Sequence, residues 1–122
     1  MPTRSACVIT GVSPQQAASL TTSDRVVVRA NRLGALLTGR LDSLPVDAAF
    51  HYAGPVYDVM WNDETGWFAV TIYRGQRAER WHNRPATDAG YPAVGDVLGA
   101  TTPRAILDAL DVPPDAIGYP TD

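Results

Sequence analysis

The chain has 122 residues, a net charge of −3, 45% apolar residues and one cysteine. That length suits a single domain over 1–122, large enough to bury its own core. The acidic balance excludes general nucleic-acid affinity but leaves room for a local basic patch, and the lone Cys7 excludes an internal disulfide framework.

All ten basic residues are Arg, beside abundant Ala, Gly and Pro, as expected of a GC-rich bacterial genome. The opening MPTRSACVITGV lacks the apolar core of a secretion signal. No run approaches the roughly 18 apolar residues of a membrane span, so a complete, cytoplasmic chain is expected.

The first element is a strand over 5–12, SACVITGV, apolar with β-branched residues at its centre. Ser13, Pro14 and Gln16 then form a capping-box pattern with Pro at the first helical position, which predicts a short helix over 13–20. RVVVRA at 25–30 predicts a second strand.

Residues 31–41 admit two readings. Leu33, Leu36 and Leu37 recur at helical spacing, with Asn31 and Gly39 as caps, although Gly34 weakens that helix by ~1 kcal/mol. ALLTGRLD reads as a strand. SLPVDAAF (43–50) admits a short helix opened by Pro45 and Asp47.

Residues 56–73, VYDVMWNDETGWFAVTIY, predict a hairpin. A type I turn over Asp63–Gly66, closed by a left-handed Gly66, is expected to give a three-residue loop with a bulge. The pairing then sets Trp61 opposite Phe68, Val59 opposite Val70 and Tyr57 opposite Ile72, all apolar and on one face. The other face is mixed: Asn62 with Trp67, Met60 with Ala69, Asp58 with Thr71, Val56 with Tyr73. Trp61 is thereby assigned to the core, and Trp67, Met60 and Tyr73 to a face open to a partner, a ligand or a second copy.

Residues 74–84, RGQRAERWHNR, carry Arg74, Arg77, Arg80 and Arg84 against Glu79, a charge of +3 with His neutral. Arginines interleaved with Trp81 suit a protein interface, where Arg and Trp are favoured anchors, or a phosphate-and-base surface. Pairing with the aspartates of 105–122 is the structural alternative. A long loop follows at 86–96. TTPRAILDAL (101–110) is the clearest helix, with a Thr cap before Pro103 and a stripe of Ile106, Leu107 and Leu110. DVPPDAIGYP then turns away, with room for one further helical turn.

These elements predict an α+β domain, an antiparallel sheet of about four strands with two or three short helices on one face. Catalytic candidates are few: His51, Asp58 and His82, with no metal-ligand spacing and no nucleophile motif. Cys7 sits in an apolar strand, where packing is the expected role. No metal or cofactor is expected. The sequence reads as a small non-catalytic protein-interaction module, of the inhibitor or immunity-protein type. Met60, Trp67, Tyr73, Arg74, Arg77, Arg80, Trp81 and Arg84 are its binding candidates, toward a protein partner or a second copy. The alternatives are a small enzyme or ligand-binding fold with a pocket between sheet and helices, and nucleic-acid binding through 74–84.

Overall fold

Six strands are present among the described residues: β1 (Arg4–Thr10), β2 (Val26–Asn31), β3 (Gly34–Gly39), β4 (Val56–Asn62), β5 (Trp67–Arg74) and β6 (Arg77–His82), and β-branched or aromatic residues are frequent in β1, β2, β4 and β5. Among the described residues two helices, α1 (Pro14–Ala18) and α2 (Pro103–Ala109), and a 3-10 turn at Pro114–Ala116 accompany them. The computed structural model describes residues 4–19, 26–39, 54–75, 77–83 and 91–120. The expected short helix over 43–50, His51 and Arg84 lie outside the described residues.

The strands form one sheet in the order β2-β3-β1-β4-β5-β6, and every neighbouring pair is antiparallel. This is six strands where about four were expected, within the α+β class. The added strands have a clear origin. Within 31–41, the described residues 31–39 are no helix: Asn31 and Gly34 bracket a two-residue turn, and 34–39 is β3. Gly34 is required there by close approach, because a Cβ would collide with the carbonyl oxygen of Ile9 on β1. The basic segment supplies the other addition, pairing along β5 as β6.

Alternation divides the buried residues into two clusters, one on each face of the sheet. One holds Ala6, Val8, Leu36, Tyr57, Val59, Phe68, Val70, Ile72 and Trp81, under Ile106 and Leu107 of α2 and under Leu110, Val112 and Ile117 beyond it. The other holds Cys7, Ile9, Ala35, Leu37 and Val56, under Ala17 of α1 and under Val12 ahead of that helix. The helices therefore sit on opposite faces, not together on one face. The middle of β1, Ala6–Ile9, is apolar on both faces because it is covered on both sides.

The helix starts follow their sequence signals. Ser13 Oγ accepts the Gln16 N–H at 3.1 Å while Gln16 Oε1 accepts the Ser13 N–H at 2.8 Å. Thr102 Oγ1 accepts the Ala105 N–H at 3.3 Å ahead of Pro103. The β4–β5 hairpin has the expected register, from Asn62 opposite Trp67 to Val56 opposite Tyr73. Its loop holds residues 63–66, four residues rather than three, closed by a Gly66 N–H to Asn62 O bond of 2.8 Å with Gly66 at φ 69°. Asn62 Oδ1 accepts from the N–H groups of Glu64 and Thr65, fixing the turn from within.

Candidate functional site

The face that carries α1 changes character across the sheet. Toward β2 it is apolar and lies under the helix. Toward β6 it is polar and aromatic. One transverse row follows from the strand registers: Cys7 on β1 stands opposite Asp58 on β4, Asp58 opposite Thr71 on β5, and Thr71 opposite Arg80 on β6. The row on one side of it holds Ser5, Met60, Ala69 and His82. The row on the other side holds Ile9, Val56, Tyr73 and Ala78.

Arg80 organises this half. Its Nε donates to Thr71 Oγ1 at 2.8 Å, and its guanidinium lies 4.1 Å from the centre of the Tyr91 ring and 5.8 Å from that of Trp67. Tyr91 comes from the loop after β6. That loop is fixed by backbone bonds on either side of Arg80, from Arg80 N–H to Pro92 O at 2.8 Å and from Val94 N–H to Arg80 O at 3.1 Å. Burial, with the neighbouring Tyr91 hydroxyl second, pushes the Tyr73 hydroxyl up from its ordinary range. Trp67 in turn leans on His82, with ring centres 6.2 Å apart.

Three polar side chains lie at the base of this half, Ser5, Asp58 and Thr71. Asp58 is 6% exposed, and burial raises its carboxyl to about 7 although the nearby Arg80 charge opposes the shift. Asp58 Oδ1 and Ser5 Oγ have no hydrogen-bond partner. Cys7 is fully buried, and desolvation, with the Asp58 charge second, pushes its thiol up, so it stays protonated.

Of the sequence-derived candidates, Met60, Trp67, Tyr73, Arg80, Asp58 and His82 share this face. The others separate from it. Trp81 is 7% exposed on the opposite face and packs edge-on against Phe68, so it is a core residue and no part of a contact surface. Arg74, opposite Arg77 at the hairpin end, lies on that opposite side, where its charge acts on the Tyr57 hydroxyl. The 74–84 segment is therefore not one Arg/Trp surface, because a strand sends successive side chains to opposite faces. Thr71, Ser5 and Tyr91 were not singled out by the sequence. The first two occupy the mixed face of the predicted hairpin and the strand beside it, whereas Tyr91 carries no local signal.

A buried carboxyl near neutral pKa is capable of acid–base work. Among the described residues no base hydrogen-bonds Ser5 Oγ, and burial favours the protonated Cys7 thiol. Among the described residues, no three His, Cys, Asp or Glu side chains stand together to hold a metal ion. No helix among them is long and apolar enough to cross a membrane. No family model, curated protein or solved structure matches the chain.

Proposed function

We propose that the protein is a small non-catalytic interaction module, comparable in kind to inhibitors and immunity proteins, that takes a protein partner on the β4–β6 half of its α1 face. The observation that carries this reading is Arg80 seated over Tyr91 beside Trp67. Arg, Trp and Tyr are the residues that most often anchor interfaces, and here packing has already restricted their motion. Met60, Trp67, Tyr73, Arg80 and His82 are all half-buried, and Met60 adds an adaptable apolar contact.

The nucleic-acid reading has less support, because Arg74 and Arg80 point to different faces and present no continuous basic track. The enzyme reading rests on Asp58 of β4 and His82 of β6, which share a face but are separated by β5, with His51 outside the described residues.

The test is co-expression with the products of flanking genes, followed by pull-down with the wild-type chain and with Trp67→Ala. The expected result is a partner held by the wild type and lost by a variant that still melts cooperatively. Failure to retain any such product, together with a monomeric mass by light scattering, overturns the reading.

A further inference from the structure

Buried polar groups are nearly always hydrogen-bonded, so each orphan calls for a physical reason. Two stand together here. Ser5 is displaced by two residues along β1 from Cys7, the residue opposite Asp58, so Ser5 and Asp58 are diagonal neighbours on one face. Ser5 is 3% exposed and Asp58 6% exposed, and Ser5 Oγ and Asp58 Oδ1 lack partners.

We propose that Ser5 and Asp58 form an anchor for a planar nitrogen cation, the guanidinium of an arginine side chain on the protein partner. This rests on the interaction-module reading and adds the chemistry of the partner's central contact. A hydroxyl and a carboxylate oxygen at diagonal positions of one face can each accept an N–H of one planar fork. Asp58 is the single acidic side chain on this face among the described strands, because Glu79 lies opposite Ile72 on the other. Asp58 Oδ1 keeps no hydrogen-bond partner although the Arg80 charge is near enough to oppose the rise of its carboxyl to about 7. A second cation brought next to Asp58 offsets the cost of ionising it there. The surrounding rings suit the shape, since Tyr91 already carries one guanidinium. Met60, directly opposite Ser5 and half-buried, is the flexible side chain that can move aside to admit the group.

The experiment uses benzamidine, an amidinium on an aromatic ring, and benzamide, its neutral counterpart, titrated into the full chain and followed by tryptophan fluorescence and by amide NMR shifts. Saturable binding of benzamidine, with benzamide much weaker, is expected. Asp58→Asn should weaken benzamidine at least about tenfold, the consequence of removing one member of a buried charge pair. Ser5→Ala should weaken it by a smaller factor without lowering the melting temperature, since it deletes an orphaned hydroxyl. No saturable response, or one that persists unchanged in Asp58→Asn, overturns the anchor. If benzamidine is silent while Trp67→Ala still abolishes partner capture, the anchor fails and the interaction module stands. If benzamidine binding depends on Asp58 but no partner is found, the module fails and the cation site stands.

Discussion

Asp111 ties the end of α2 to the β2–β3 turn: its Oδ2 accepts the backbone N–H of Arg32 at 2.9 Å. Asp111 follows the helix in the left-handed region, at φ 56°. The helix closes with Asp111 N–H to Asp108 O at 3.1 Å and Val112 N–H to Leu107 O at 2.9 Å, the pattern in which glycine is the usual residue. Arg32 returns the contact, donating through Nη2 to Asp108 O at 2.7 Å, and Asn31 Nδ2 donates to Leu110 O at 2.9 Å. Three hairpin groups thus cap carbonyls and the carboxylate at one helix end. Asp111→Ala should cost about 2 kcal/mol, combining a lost charged hydrogen bond with left-handed strain. Asp111→Asn keeps both the acceptor and tolerance of that conformation, and should cost less than about 1 kcal/mol. Urea denaturation of the pair checks this, and equal losses would refute the backbone argument.

The three aromatic positions of the β4–β5 hairpin should rank by packing. Phe68 is fully buried and contacts the rings of Trp81 and Tyr119. Trp61 is half-buried, its ring 4.7 Å from that of Tyr119. Trp67 contacts Arg80 and His82 on the other face. Phe68→Ala should cost about 4–5 kcal/mol and Trp61→Ala about 3 kcal/mol. Trp67→Ala should cost about 1 kcal/mol while removing partner binding. Thermal or chemical melts that place Trp67 above Trp61 would contradict the assignment of faces.

Asp58 gives the stability a pH dependence of defined sign. Its carboxyl is raised from 3.8 to about 7 on folding, chiefly by burial. The folded state therefore keeps a proton that the unfolded chain releases. The associated stability is full below about pH 4 and is lost as pH rises through 7. Asp58→Asn should flatten that fall between the two limits. Denaturation midpoints at a series of pH values test it, and an unchanged slope in the variant would assign the effect to other groups.

Cys7 should be inert in the native protein. It is fully buried in the central strand, and burial with the Asp58 charge disfavours its thiolate. A thiol reagent such as dithionitrobenzoate should label it only as fast as the chain opens, with full reaction in urea. Rapid native labelling would show that β1 is exposed.

The β4–β5 hairpin was legible in the sequence because two independent signals agree: a turn ending in Gly66 and strict alternation on either side. That alternation also placed Trp67 and Met60 on a different face from Trp61. The helix caps at Ser13 and Thr102 were legible for the same reason, since capping is local chemistry. Residues 33–37 were not, because β3 is covered on both faces. Leu36 enters one cluster and Leu37 the other, and consecutive buried leucines imitate helical spacing. Segment 74–84 misled in the opposite way. Its arginines and Trp81 are adjacent in sequence, yet pairing along β5 buries Trp81 and leaves Arg80 on the other side. The juxtaposition of Ser5, Asp58, Arg80 and Tyr91 belongs to tertiary structure alone. It depends on β1 inserting between β3 and β4 and on the 91–94 loop bonding to Arg80, contacts between residues distant in the chain that no local periodicity encodes.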